Sequence, residues 1–232
     1  MVESTEHMEP TPESDSGGSN PKQEVKREVV ELVKMVVLFL IMFWGLKTFV
    51  IEGYEVQGQS MFPTLEDRER ILVFKLPHKL SQLSLFGGYA PIEASDIVVF
   101  ESMSVNRDGE KVKNNKRYIK RVIARGPKRT GGKVADAARH GEDPGPEAVK
   151  VEFDGGKVYV QNHKLAEPYL DPQERKSPDH RRPLFLDAGE YYVLGDHRGV
   201  SKDSRSFGTV DDEQIIGRAV FRFWPLSKFG PL

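Results

Sequence analysis

The sequence predicts a mainly β protein: an antiparallel, β-rich domain with long loops, preceded by one transmembrane α-helix. Three observations carry this. Seven short runs of β-branched and aromatic residues follow residue 51, most of them bounded by turn residues. No long segment of 3.6-residue periodicity competes with them after that point. One apolar run of 23 residues, Val29 to Ile51, stands before them.

Residues 1–28 contain Glu3, Glu6, Glu9, Glu13 and Asp15 among Pro10, Pro12, Gly17 and Gly18, with almost no large apolar side chain. Such a stretch cannot repay its ordering entropy, so a disordered tail is expected. Residues 29–51 are expected to form a membrane anchor. The uninterrupted apolar centre, Met35 to Leu46, is 12 residues long. Lys34 and Lys47 at its edges can lay their stems along the helix and reach the headgroups, which extends the span toward the ~20 residues a bilayer needs. A buried core helix is the competing reading. Lys22, Lys26 and Arg27 before the span place the N-terminus in the cytoplasm and the rest outside.

Residues 52–232 then form the predicted extracytoplasmic domain. Its strands are read at Ile71–Phe74, Ile97–Phe100, Tyr118–Ile123, Val149–Phe153, Val158–Val160, Tyr191–Leu194 and Ala219–Trp224. Inserted loops are expected near 84–95 and 126–148. Basic and acidic residues nearly balance, 34 against 35, so no global field points to nucleic acid. The absence of cysteine removes disulfides, thiolate metal sites and a cysteine nucleophile. The six histidines are scattered, none in a zinc-binding spacing, and no metal or other cofactor is expected.

Three stretches carry candidate chemistry. In Gly58-Gln59-Ser60-Met61-Phe62-Pro63-Thr64-Leu65, Ser60 needs a base before it is a useful nucleophile, and a plain turn is the alternative. In Tyr118-Ile119-Lys120-Arg121-Val122-Ile123, strand alternation puts Lys120 on the face of Tyr118 and Val122. A lysine among apolar neighbours loses solvation, and its pKa falls toward a value suited to a general base. The alternative is a lysine that snorkels from a half-exposed strand. The third stretch, Leu194 to Gly208, collects hydroxyls and charges; its hydroxyls can orient a base, and Asp203 with Arg205 can form a bracing ion pair. A polar hairpin loop is the alternative. A triad through His197 is disfavoured, because the adjacent Asp196 is too close in sequence to orient its ring easily.

Taken in order after one N-terminal span, these stretches resemble the bacterial type I signal peptidases of peptidase family S26. The resemblance runs from about residue 29 to 225. It rests on Ser60-Met61-x-Pro63-Thr64-Leu65, Asp96-Ile97-Val98-Val99-Phe100, Tyr118-Ile119-Lys120-Arg121-Val122 and Gly195-Asp196-x-Arg198 with Ser201-x-Asp203-Ser204-Arg205-x-Phe207-Gly208. It implies a membrane-bound serine endopeptidase of the bacterial cytoplasmic membrane that removes signal peptides from exported preproteins after small residues such as Ala-x-Ala. Ser60 and Lys120 match its catalytic dyad, and the reaction runs through an acyl-enzyme. Ser201 matches a base-orienting serine, Asp203 and Arg205 the pair that holds that loop, and Met61 a residue beside the substrate pocket. The Ser60 backbone N–H and the Gly58 region are the expected oxyanion donors. Gly58 replaces a serine found in some relatives, His197 an asparagine, and Ala124-Arg125-Gly126-Pro127-Lys128 the family's Gly-Leu-Pro-Gly-Asp turn. Expected partners are preproteins and membrane lipid, close to the secretion translocon. A non-catalytic anchored β-domain is the alternative from another class. A self-cleaving Ser/Lys regulator would need a DNA-binding domain before residue 50, for which there is no room.

Overall fold

The computed structural model describes residues 21–45, 47, 50–75, 92–105, 111–127, 145, 148–173 and 183–232. Residues 1–20, and most of the loops predicted near 84–95 and 126–148, lie outside them. The chain divides after Gly45 into two units.

The first unit contributes α1, Pro21–Gly45. Proline fits the first turn of a helix, and no further proline or glycine interrupts the segment before Gly45 ends it. The last eight residues of the predicted tail, 21–28, are therefore helical. Val29 to Trp44 expose their large apolar side chains on every face. Among the described residues no helix is long and apolar enough to cross a membrane. The uncharged part of α1 runs from Met35 to Gly45, about 16 Å of helix against a hydrocarbon layer of about 30 Å. Ile51, the last residue of the predicted anchor, opens a strand.

The second unit holds β1 (Ile51–Glu55), β2 (Arg70–Phe74), β3 (Ile97–Val105), β4 (Lys111–Arg125), β5 (Val149–Asp154), β6 (Lys157–Val160), β7 (His163–Lys164), β8 (Leu184–Leu186) and β9 (Glu190–Leu194). The short helix α2 (Ser204–Phe207) follows, then β10 (Val210–Asp211), β11 (Ile215–Trp224) and β12 (Gly230–Pro231). One sheet has the order β1-β2-β11-β3-β4-β9-β10, with β12 paired to β11; the other has the order β7-β6-β5-β8.

Strand alternation builds the core. On β3, Ile97 and Val99 join Val56, Met61, Leu65, Ile71 and Val73 in one cluster. Their neighbours Val98 and Phe100 point the other way, into a second cluster with Val122, Tyr191, Val193 and Ile215. A third cluster, with Ile123, Tyr192 and Leu194 against Val151, Val158 and Leu186, joins the two sheets. Each fully buried aliphatic side chain contributes about 1.5–3 kcal/mol relative to exposure.

Candidate active site

Ser60 sits in a turn held from both sides. Gly58 has φ +84°, a left-handed backbone that suits glycine, and its N–H donates to Asp67 Oδ1 at 2.6 Å. Beyond Ser60, the Phe62 N–H donates to Gln59 O and the Leu65 N–H to Met61 O. Met61 and Leu65 are completely buried in the first cluster and pin the turn to the sheet. The Ser60 side chain is left at the surface of a groove.

Lys120 comes from the middle of β4, opposite Val98 of β3. Tyr118 and Val122, which share its face, both belong to the second cluster. The side chain is 2 % exposed. Its Nζ lies 2.7 Å from Ser60 Oγ and 2.7 Å from the Ile119 carbonyl oxygen. Burial pushes the amine from 10.5 down to about 8, the carboxylates of Asp203 and Asp196 pulling the opposite way. In its neutral form the amine donates to Ile119 O and offers its lone pair to the Ser60 O–H. That geometry can move a proton from hydroxyl to amine.

The loop after β9 closes over this pair. The backbone N–H of His197 donates to Ser60 O at 3.1 Å. A Cβ placed on Gly195 would stand 2.4 Å from Ser60 O and 2.1 Å from Ser201 Oγ, so only glycine fits between them. Asp203, fully buried, accepts from the Gly195 N–H at 3.0 Å and from Arg205 Nε and Nη2 at 2.8 Å each. The bracing pair read from the sequence is thus formed, and Asp203 also caps α2.

Three further site residues are placed as follows. Ser201 Oγ is buried and has no hydrogen-bond partner among the described residues; its backbone is held through the N–H to His197 O. Met61 lies in the core, below the groove rather than on its wall; Ile71 and Val99 of the same cluster line the groove instead. The Gly58 N–H is engaged by Asp67 and is not available as an oxyanion donor. His197, disfavoured from the sequence as a triad base, has its Nδ1 3.2 Å from Gln59 O.

Sequence reading missed a buried charge network beside the site. Arg121 clasps Asp196 through two bonds of 2.9 and 2.6 Å, and reaches Ser95 O and Thr64 Oγ1. The Tyr169 ring lies 3.9 Å from its guanidinium carbon. Arg198 pairs with Glu167 and donates to Gly195 O at 3.1 Å. The signal in the sequence is an arginine next to Lys120 and an aspartate beside Gly195, but their separation of 75 residues hides the pairing.

Four successive antiparallel pairings, β1 with β2, β2 with β11, β11 with β3 and β3 with β4, leave β1 and β4 running in the same direction. A groove of about 780 Å³ lies between residues 52–57 and 116–120, with Ser60 and Lys120 on its lining. An extended peptide adds to strand edges of this kind through its main chain. Among the described residues no group of histidines and acids is arranged to hold a metal.

Comparison with known proteins gives a consistent answer. The family model "Signal peptidase, peptidase S26" matches residues 29–133 and 145–224. The chain is 33 % identical over 221 residues to signal peptidase IB of Staphylococcus aureus (strain COL), covering 88 % of this chain and 94 % of that one. It is 30 % identical over 223 residues to signal peptidase I of Leptolyngbya laminosa, covering 96 % and 92 %. A solved signal peptidase I from Enterococcus faecalis V583 matches 55 % of this chain at 24 % identity with a TM-score of 0.35, too low a likeness to bear on the fold. With a family match over most of its length and relatives at this identity, the chain belongs to the signal peptidase family, peptidase S26, and is a serine endopeptidase.

Proposed function

We propose that this protein cleaves signal peptides from exported preproteins after small residues, Ala-x-Ala, with Ser60 as nucleophile and Lys120 as general base. The observation that carries the reading is the 2.7 Å approach of Lys120 Nζ to Ser60 Oγ by an amine whose pKa is near 8. At pH 7 about a tenth of such an amine is neutral, enough to act as a base.

In this scheme the Ser60 proton passes to Lys120 as Oγ attacks the scissile carbonyl. The oxyanion is received by the Ser60 backbone N–H. Lys120 then gives its proton to the departing amine, and the acyl-enzyme remains on Ser60. Water, deprotonated by the same amine, hydrolyses it and restores the hydroxyl. The buried hydroxyl of Ser201 is assigned to Lys120 in the substrate-bound enzyme, supported by its lack of any other hydrogen-bond partner among the described residues. Met61 supports the groove floor from below.

Signal peptidases of this family are membrane-associated in bacteria, and we assign anchoring to the apolar segment at residues 29–51. Support comes from α1, whose large apolar residues from Val29 to Trp44 are exposed on all sides. The basic residues before it favour a cytoplasmic N-terminus with residues 52–232 on the outer face, where preproteins leave the translocon. The test is incubation of the detergent-solubilised protein and its Ser60→Ala variant with a labelled preprotein, followed by mapping of the cut. A single cut after a small residue, lost in Ser60→Ala, is expected. An intact preprotein with the wild-type chain contradicts the proposal.

A further inference from the structure

The chain after β7 leaves the second sheet and turns toward the loop that locks Ser60. Leu165 packs against the third cluster and its N–H donates to Val158 O, which fixes where the segment departs. Leu170 is buried, and its N–H donates to Glu167 O at 3.2 Å. The turn Glu167-Pro168-Tyr169 is thereby tied down at both ends. Neither Glu167 nor Tyr169 lies in a stretch that carries the family resemblance, and neither lines the groove.

Both side chains meet arginines beside the site. Arg198 donates to both carboxylate oxygens of Glu167, Nη2 to Oε1 and Nη1 to Oε2. The Arg198 side chain is 0 % exposed and that of Glu167 7 %. The Tyr169 hydroxyl donates to Glu167 Oε1 at 3.0 Å, and its ring lies 3.9 Å from the Arg121 guanidinium carbon. Burial and the Glu167 carboxylate push this phenol up, so it stays protonated and remains a donor.

Such a buried pair is weak evidence for stability, because the cost of desolvating two charges offsets their attraction. Its two-point fork instead fixes the plane of the guanidinium. That plane aims Arg198 Nε at Gly195 O, 3.1 Å away. Arg121 holds the next residue, Asp196, through two bonds. The residue after that is His197, whose N–H steadies Ser60 O at 3.1 Å. We propose that Glu167 and Tyr169 are positioning residues for cleavage: they set Arg198 and Arg121, which hold Gly195-Asp196-His197 against the Ser60 turn. The loop of the second sheet thus completes the active site without touching the substrate groove. The inference rests on the proposed reaction and adds to it two residues remote from the dyad in sequence.

The test measures kcat and KM separately for a labelled preprotein, with the full chain in detergent. Each variant is assayed well below its own melting temperature, so that the molecules counted are folded. Glu167→Gln should lower kcat by about 10- to 100-fold, the cost of a nucleophile displaced by up to about 1 Å. KM should stay within about twofold, since the groove lining is untouched. Tyr169→Leu, at a half-buried position, should lower kcat by about three- to tenfold with the same KM, and it carries the test if Glu167→Gln does not fold. A double variant, Glu167→Met with Arg198→Met, separates positioning from plain support. An apolar pair in place of a buried ion pair restores stability, so the melting temperature should recover while kcat stays low. A kcat that recovers together with the melting temperature overturns the positioning role. So does a kcat within about twofold of wild type in folded Glu167→Gln or Tyr169→Leu. Cleavage that survives Ser60→Ala overturns the reaction itself, an outcome distinct from both.

Discussion

Lys120 Nζ and Ser60 Oγ stand 2.7 Å apart although 60 residues separate them in the chain. One is brought by the centre of a long strand, the other by a turn pinned through Met61 and Leu65, and the loop after β9 locks the turn from above. The site is thus assembled from three segments that share no local structure, which makes each contact between them a place where activity can be broken.

Replacing Lys120 by methionine should abolish cleavage yet raise stability. The folded amine titrates near 8 and the unfolded one near 10.5, so below pH 8 both states are protonated and folding bears the full cost of burying the charge. That cost is about 3 kcal/mol at 1.36 kcal/mol per unit, and it disappears as pH rises from 8 toward 10.5. Lys120→Met should therefore gain up to about 3 kcal/mol at pH 7 and much less at pH 10. Chemical denaturation at the two pH values checks this; an equal or negative difference at pH 7 contradicts a buried, penalised amine.

Gly195→Ala should remove activity with the dyad chemically intact. The added methyl would meet Ser60 O at 2.4 Å and Ser201 Oγ at 2.1 Å, and backbone must shift to relieve it. A displacement of about 1 Å at the nucleophile costs on the order of 100-fold in rate. Kinetics on a labelled preprotein, read beside circular dichroism to verify folding, test the expectation.

The buried pair of Arg121 and Asp196 has side-chain exposures of 8 % and 0 %. Asp196→Asn leaves the guanidinium without its counter-charge, a loss of about 3 to 5 kcal/mol. For a domain of this size the melting temperature should fall by roughly 6 to 20 °C. A shift below 2 °C in a thermal melt would mean that Arg121 finds another partner.

His197→Ala should retain cleavage within about tenfold of wild type, the worth of one ordinary hydrogen bond. The contact that steadies Ser60 comes from the His197 backbone N–H, which alanine keeps. A loss of several orders of magnitude in the same assay would restore the imidazole as a base.

Much of this was legible in the sequence where chemistry and local pattern coincide. The apolar tetrads at 71–74 and 97–100 became strands because both of their faces are buried or nearly so. Lys120 stood out as the one charge among Tyr118 and Val122, and Asp203 found Arg205 two residues away. Where pairing is distant, the sequence is silent. β1, Ile-Glu-Gly-Tyr-Glu, carries two charges and a glycine and is not among the strands read from the sequence; it becomes a strand by pairing with β2. The first half of β4 is Lys-Val-Lys-Asn-Asn-Lys-Arg, whose polar side chains gave no strand signal; it is drawn out by the hairpin with β3. Met61 was given a place beside the substrate pocket by the family resemblance alone, and its side chain is buried in the core. The partner of Arg121 could not be read at all, since nothing local marks Asp196 as its counter-charge.

The most direct test of a neutral Lys120 acting on Ser60 is the pH dependence of kcat/KM for preprotein cleavage between pH 6 and 10, with substrate ionisation held outside that range. A lysine base near 8 gives a rate that rises about tenfold per unit at low pH and levels off above roughly pH 8 to 9. A profile that is flat from 6 to 9, or cleavage that persists in Lys120→Ala, would contradict the account.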